Sequence, residues 1–442
     1  MLDATKPIGE ILKEVRNAKQ LSLQDVAKQV NIDYTLLNRI ENGKRLPTKE
    51  HIEKLADFYR YNKEELMKAF LSDKILYEIK DEDYAYEALK IAEKKIVYHY
   101  TLFPEMDNGI FKLESRRYIG NKAKLTDWIM EIIQNETYGA DTFIDIFAGT
   151  ASVAKQAMKN YKKVILNDIL YSNHIIYKAF FKPEKWDKEK IIAITKQFNE
   201  VNPENLDDNY FSINYGNRFF EYSVAKKIGH IREEIEKLKH SLNEKEYAIL
   251  LASMIYSMDK VANTVGHFDA YIKKPIKKTN FYIQLIQTYD FEGIEIYRED
   301  ANVLARKIKG DIAYIDPPYN SRQYSRFYHV YENFVKWDKP ALFGIARKPK
   351  PENMSKYCTV KAKDTFRDLV ENLDVKYLAV SYNNTYNSKS KSSENKIKLD
   401  EIFDILSKIG KTKVFEQKHK FFTTGKTNFN NHKEYLFITK KQ

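Results

Sequence analysis

The residues best suited to chemistry in this sequence are Asp316, Pro317, Pro318 and Tyr319. They follow Ile312-Ala313-Tyr314-Ile315, an apolar run that predicts a buried strand. Packing alone gives such a strand no reason to end on a carboxylate, two residues without an amide hydrogen and an aromatic ring. A reaction at the exocyclic amine of a nucleobase does. The lone pair of that amine is delocalised into the ring, so the nitrogen attacks only when acceptors hold its hydrogens and let it become tetrahedral. The Asp316 carboxylate is one acceptor and the Pro317 carbonyl a second. The prolines stiffen the turn and bring no competing N–H. Tyr319 offers a face on which an extruded base can stack.

Elements further up the chain must position the other reactant. Phe143-Ile144-Asp145-Ile146-Phe147 predicts a short strand, Ala148-Gly149-Thr150-Ala151 a tight small-residue loop, and Ser152 onward a helix carrying Val153, Ala154, Ala157 and Met158. Strand, loop and helix in this order form the first unit of a doubly wound sheet, whose ligands sit beyond the strand ends. A second strand, Val164-Ile165-Leu166, ends at Asn167-Asp168, and Asp168 follows Asp145 by 23 residues. An acid there suits a ribose hydroxyl pair. Only Gly149 is present of a G-x-G-x-x-G pattern, which disfavours a pyrophosphate and hence NAD. S-adenosylmethionine needs only a tight turn near its methionine part. Upstream, Tyr118-Ile119-Gly120-Asn121-Lys122 fits a loop that lays an aromatic over a ligand and offers a lysine to a carboxylate, or equally a capped helix with a basic surface.

Four motifs in order, "YIGNK", "DIFAGTASVA", "ILNDI" and "DPPY", resemble the DNA adenine-N6 methyltransferases of the Dam-like, D12 class over roughly residues 114–440. The resemblance implies an α/β fold: a doubly wound S-adenosylmethionine-dependent methyltransferase sheet with an inserted target-recognition region. It implies that Asp316, Pro317, Pro318 and Tyr319 carry catalysis, with Asp316 also bordering the cofactor. Tyr118 and Lys122 would contact the cofactor, Tyr standing where relatives often have Trp. Asp145, Phe147 and Gly149 would shape the methionine pocket, and Asp168 would bind the ribose. Asp300, sixteen residues before Asp316, suits an acid touching the cofactor's adenine; it suits equally an N-cap for a helix from Val303 to Ile308. Cytosine-N4 enzymes of the superfamily usually have Ser in place of the first Asp, so Asp316 favours adenine. Cytosine-C5 chemistry needs a Pro-Cys nucleophile, and the single cysteine, Cys358, follows Tyr357. That lone cysteine also excludes an internal disulfide and a cysteine-based metal site; no metal is expected.

Between Asp168 and Gly293 lie about 120 residues that a plain doubly wound sheet does not need. Residues 175–292 are therefore the candidate recognition insertion, or else a solvated helical one. "NYGNRFFEY" (Asn214–Tyr222) and "HFDAYIKKPIKK" (His267–Lys278) interleave aromatics with bases. Arg218, Lys273, Lys274, Lys277 and Lys278 are candidate phosphate contacts. Asn263 and His267 would contact bases or order the loop. Arg322, Gln323 and Tyr324 follow the catalytic turn directly and are candidate DNA contacts. After Leu406 the tail holds nine Lys and two acidic residues, a further face for a polyanion, and Tyr377–Ser381 and Tyr435–Thr439 are expected to complete the sheet.

At the other end, Leu23, Val26, Ala27 and Val30 keep helical spacing behind Ser22, and Leu36, Leu37 and Ile40 do so behind Asp33. Asn31-Ile32 is the turn between them; Gly43 ends the second helix and Pro47 bars its continuation. Tyr34, Thr35 and Asn38 lie on the remaining face, where they can reach base edges, while Gln24, Lys44 and Arg45 are placed for phosphates. Residues 8–70, ending in "IENGKRLP", resemble the Cro/repressor (XRE) helix-turn-helix type; Asn31 replaces the glycine common in this turn but tolerates left-handed geometry nearly as well. The alternative is a small helical domain that binds protein.

The expected organisation is thus a helix-turn-helix domain over 1–70, a helical connector over 71–113 with spacing at Ala85, Leu89, Ala92 and Ile96, and a methyltransferase domain over 114–442. Lys389–Lys398 is the expected flexible loop. The formal charge of +12 fits double-stranded DNA as partner, or a lysine-rich solvated surface. No signal-peptide core occupies Met1–Lys13, and the longest uncharged apolar run, Tyr247–Met258, is too short for a bilayer, so a cytoplasmic, nucleoid-associated protein of a bacterium or archaeon is expected, with no membrane partner. A cognate restriction endonuclease is an expected partner; oligomeric state is not legible. The competing functions are an RNA adenine-N6 methyltransferase, which a major-groove reader argues against, and a repressor whose second domain senses a metabolite, for which the acceptor pair has no use.

Overall fold

The computed structural model describes residues 6–79, 82–91, 110–383, 395–418 and 433–442. Most of the expected flexible loop, and Ala92 and Ile96 of the expected connector, lie outside them. The chain divides into two compact units, Met1–His99 and Tyr100–Gln442.

The first unit is helical: α1 (Ile8–Ala18), α2 (Leu23–Val30), α3 (Tyr34–Glu41), α4 (Lys49–Tyr59) and α5 (Lys63–Ile79). The start signals act as read. Ser22 accepts the Asp25 amide and Asp33 the Leu36 amide. Asn31 holds φ +53°, the left-handed turn that the helix-turn-helix requires. Ile11, Leu12, Val26, Leu37, Ile40, Ile52 and Leu55 form the core. Gly9 lets α1 cross α3: a Cβ there would lie 2.1 Å from the Ile40 carbonyl oxygen. A part-buried pair adds to this core, the Arg16 guanidinium gripping the buried Glu41 at 2.7 Å. Helix α5 runs without a break through residue 70, where the sequence suggested a boundary.

The second unit is built on strands β1 (Ile110–Phe111), β2 (Thr142–Asp145), β3 (Lys163–Asn167), β4 (Leu285–Ile286), β5 (Ile294–Tyr297), β6 (Ile312–Ile315), β7 (Tyr377–Asn383), β8 (Gly410–Lys418) and β9 (Lys433–Lys441). Strands β1 and β4 make a small parallel pair. The main sheet has the order β5-β3-β2-β6-β7-β9-β8; β9 runs antiparallel to both its neighbours and the other pairings are parallel. Side chains alternate across it as the pleat demands. Phe143, Val164, Ile312, Tyr314 and Ile438 enter one core, and Ile144, Ile165, Ala313, Ile315 and Phe437 enter the other.

The insertion is mostly core. Helices Tyr171–Phe181, Tyr222–Leu238 and Glu244–Val261 pack onto the first face of the sheet, and Leu250, Leu251, Met254 and Ile255 are fully buried. The aromatics of Asn214–Tyr222 behave likewise: Tyr215, Phe219 and Phe220 are buried, so their interleaving with bases marks packing rather than a stacking surface. The stretch 262–284 is the longest part of the insertion without helix or strand.

Candidate active site

Strands β2 and β6 are parallel neighbours, with Asp145 in register with Tyr314. Asp316, one residue past β6, therefore emerges beside Asp145 at the carboxyl ends of the central strands. Strand β3 lies on the other side of β2, and Asp168 follows its end. From β5 the chain crosses β3 and β2 to enter β6, so the crevice at these three carboxylates is the topological switch point where open α/β sheets bind ligands.

The loop after β2 is pinned from several sides. The Ala148 amide donates to the Asn167 carbonyl at 2.9 Å, and the Asn167 side chain donates to the Ile146 carbonyl at 3.1 Å. Gly149 and Ala151 both hold left-handed backbone, φ +53° and +58°; for alanine this is strained, and such strain is maintained where the surroundings over-determine the conformation. Asp168 accepts from the Gly149 amide at 3.1 Å, the Leu170 amide at 2.9 Å and the Asn173 side chain at 2.9 Å. It thus ties β3 to this loop, although burial still raises its pKa above the ordinary value. Asp145 is buried, and burial followed by the charges of Asp316 and Asp168 raises its pKa well above the carboxylate range, against the pull of the Ala154 and Phe147 amides. Its Oδ1 has no donor among the described residues.

The Tyr118–Lys122 segment closes over this loop. Tyr118 stacks on Tyr328 with centroids 4.7 Å apart, and the Arg116 guanidinium lies 4.6 Å from its ring. Asn121 is a joint that sequence reasoning missed: its Oδ1 accepts from the Ala123 amide at 2.9 Å, Ser152 at 3.2 Å and Thr150 at 3.3 Å, stitching one loop to the other. Lys122 does not point at an open position for a ligand carboxylate. Its ammonium is buried 3.0 Å from Glu434 on β9 and 3.6 Å from Asp316. No local signal could have found Glu434, because it lies 312 residues from Lys122 along the chain.

Burial raises the Asp316 pKa to about 6; the Lys122 ammonium opposes that rise and Glu434 adds to it. Lys122 keeps its proton, since the two carboxylates outweigh its own burial. Pro317 is buried and Pro318 half-buried. Tyr319 departs from the expected stacking platform. Its ring is buried edge-on against Tyr382 at 4.7 Å, its carbonyl accepts the Lys396 amide at 2.7 Å, and its hydroxyl has no partner among the described residues. Asp300 caps the helix Ala301–Leu304, with Oδ1 accepting the Asn302 and Val303 amides, so the capping reading holds and the helix is shorter than expected. Phe147 meets Tyr357 edge-on at 5.1 Å.

The candidate DNA contacts separate into two groups. Gln323 is committed at both ends of its amide, to the Ser355 carbonyl at 2.9 Å and the Ser355 amide at 2.7 Å, and so ties a loop rather than offering itself to a base. Asn263 orders its loop by donating to the Arg218 and Ile272 carbonyls, both at 2.9 Å. Tyr324 leans on Tyr118 at 5.4 Å and donates to the Ile119 carbonyl, which makes it part of the wall behind the Tyr118–Lys122 loop. His267 stacks on Phe327 at 4.7 Å, and burial lowers its pKa. Arg322 is half-buried, while Lys273 and Lys274 are exposed. In the helical unit Gln24, Tyr34, Thr35, Asn38, Lys44 and Arg45 are all exposed.

Residues 118–386 match the model of the D12 class N6 adenine-specific DNA methyltransferases, and residues 12–66 match a helix-turn-helix model. The chain is 30% identical to the type II methyltransferase M.NlaIII of Neisseria lactamica over 73% of its own length and 99% of the relative's. It is 32% identical to the type II methyltransferase M.CviAII of Paramecium bursaria Chlorella virus 1 over 73% and 97%. With the modification methylase StsI of Streptococcus sanguinis it shares 35% identity over 61% of this chain and 44% of that one, so it spans less than half of that relative.

Proposed function

Because the chain belongs to the D12 class of N6 adenine-specific DNA methyltransferases, we propose that it transfers a methyl group from S-adenosylmethionine to N6 of adenine at a specific sequence in double-stranded DNA, as the modification partner of a restriction endonuclease or as a solitary methylase. The observation that carries this reading is the pairing of Asp145 with Asp316 at adjacent strand ends. One has a buried acceptor with no donor; the other lies beside a buried cation and is tuned upward.

The residues fit the cofactor. The donorless Oδ1 of Asp145 suits the cationic amino group of a methionine moiety, and Gly149 brings bare backbone close to it. Tyr118 walls the pocket, while Asp168 orders its floor. Bound there, S-adenosylmethionine supplies a methyl group on a sulfonium that departs as a neutral thioether. Asp316 and the Pro317 carbonyl hold the two hydrogens of the target amine, so that its lone pair turns toward the methyl carbon. As the carbon–nitrogen bond forms and the carbon–sulfur bond breaks, the nitrogen becomes cationic and loses a proton. A carboxylate with a pKa of about 6 can take that proton and pass it to solvent at neutral pH. Lys122 balances the charge of Asp316 throughout.

The helix-turn-helix serves a second reading task in this proposal, at the operator of the protein's own gene. Thr35 and Asn38 face base edges there, and Lys44 and Arg45 face phosphates. Incubating DNA with labelled cofactor and identifying the modified nucleoside tests the enzymatic reading; footprinting the promoter tests the regulatory one.

A further inference from the structure

Three charged side chains from distant parts of the chain meet at the catalytic strand end, and the middle one is shared unequally. The Lys122 ammonium is 3.0 Å from Glu434 and 3.6 Å from Asp316. All three are largely buried, with 10%, 7% and 18% of the side chains of Lys122, Glu434 and Asp316 exposed. We propose that Glu434 is a positioning residue that holds the Lys122 ammonium off Asp316, leaving the Asp316 carboxylate free to accept the target amine. This rests on the reading of Asp316 as that acceptor.

The physical reason is competition. A buried ammonium next to a single buried carboxylate closes to contact, because their attraction is weakly screened and each loses solvent partners. A lysine in contact fills acceptor positions that the substrate amine requires. A second carboxylate on the far side of the ammonium removes the drive to close. Glu434 is well placed for this. It sits on β9, paired in register with Asn383 of β7 on one side and Gln417 of β8 on the other, so its backbone is fixed on both edges. Lys122 arrives on a loop whose Gly120 holds φ +79°. Among the described residues, the other titratable groups whose charge couples to Asp316 are Asp145 at the end of β2, Tyr314 on β6, Tyr319 in the catalytic turn and Tyr324. None of these is a cation, so among the described residues Lys122 is the one whose position sets how open Asp316 is.

The full chain carrying Glu434→Gln tests this, with Glu434→Asp as the conservative variant and Lys122→Met as the reference background. In Glu434→Gln the single-turnover rate is expected to fall roughly 10- to 100-fold, the scale of one positioned electrostatic group, with cofactor affinity retained. Its acid-side midpoint moves to lower pH, because Asp316 gains a closer cation and loses a neighbouring anion. In Lys122→Met the midpoint moves to higher pH. Glu434→Asp recovers part of the rate. Adding Glu434→Gln to Lys122→Met changes the rate less than about twofold, since the effect runs through the lysine. Equal rate losses on both backgrounds, or an acid-side midpoint that stays in place or rises in Glu434→Gln, overturn the proposal. A crystal structure of Glu434→Gln decides it without any turnover: the Lys122–Asp316 separation shortens from 3.6 Å to direct contact, or the proposal fails. If the unaltered chain transfers no methyl group to DNA, the enzymatic reading fails, and that crystal structure still answers whether Glu434 restrains Lys122.

Discussion

Asp145 and Asp316 end neighbouring parallel strands, and burial raises the pKa of both. They differ in what surrounds them. Asp316 has a lysine beside it; Asp145 has an oxygen with no donor among the described residues, and the charges that act on it are those of two carboxylates. In the proposed function the first would stay ionised near neutrality and the second would meet a cation, which would divide the crevice into an amine-acceptor side and a cofactor side.

Cofactor binding should release a proton. Without ligand, burial and the neighbouring carboxylates disfavour ionisation of Asp145, and an ammonium group at Oδ1 would favour it. Titration calorimetry in buffers of different ionisation enthalpy should therefore show proton release and an affinity that rises with pH. Asp145→Asn should abolish the release and weaken binding by about 1.5–3 kcal/mol, the range for a hydrogen bond to a charged group. Buffer-independent enthalpies would mean that the cofactor's amino group lies elsewhere.

Asp316→Asn should separate stability from activity. The folded carboxyl has a pKa of about 6 against an ordinary 3.8. A raised folded value means that the stability this group contributes is full below the unfolded pKa and is lost as pH rises through the folded one. Above pH 6 the variant should therefore be more stable than the wild type by up to about 3 kcal/mol, at 1.36 kcal/mol per unit, and the gain should vanish below pH 4. Methyl transfer should be lost. Denaturant melts at pH 4 and pH 7.5 check the sign; a variant less stable at pH 7.5 contradicts the burial argument.

Much of this site was legible in the sequence because its motifs are contiguous. A strand that ends in Asp316-Pro317-Pro318-Tyr319, and a strand, small-residue loop and helix around Gly149, announce themselves by local pattern, as does the left-handed Asn31 between two capped helices. What stayed hidden depends on tertiary approach. Glu434 reaches Lys122 across almost the whole chain, Asn121 joins loops that the sequence presents separately, and Arg16 finds Glu41 across two helices. The misreadings share one cause. Gln323 and the aromatics Phe219 and Phe220 have side chains that suit nucleic acid, but the same side chains satisfy buried backbone and fill cores, and composition does not tell the two apart.

The Arg16–Glu41 pair carries stability for the helix-turn-helix unit. Removing Arg16 leaves the buried Glu41 carboxylate without compensation; because the pair is part-buried, the cost should fall below the roughly 3–5 kcal/mol of a fully buried pair. Arg16→Met should lower the first unfolding transition seen by calorimetry and weaken operator binding together. An unchanged thermogram would show that Glu41 reaches water more easily than its burial implies.

On the recognition helix, Thr35→Ala combined with Asn38→Ala should erase the promoter footprint while leaving the methylated sequence unchanged. Lys44→Ala should weaken all duplexes alike and lower the slope of log affinity against log salt by roughly one unit. A changed methylation site in the double variant would assign the helix-turn-helix to target selection instead.

The central claim is that Asp316 holds the N6 amine of adenine for methylation. Duplex DNA incubated with tritiated S-adenosylmethionine and either the unaltered chain or Asp316→Ala, then digested to nucleosides and resolved by mass spectrometry, tests it directly. The account predicts N6-methyldeoxyadenosine from the unaltered chain and a rate lower by about 10²–10³ or more in the variant. Methylation on cytosine, or a near-normal rate in Asp316→Ala, would contradict it.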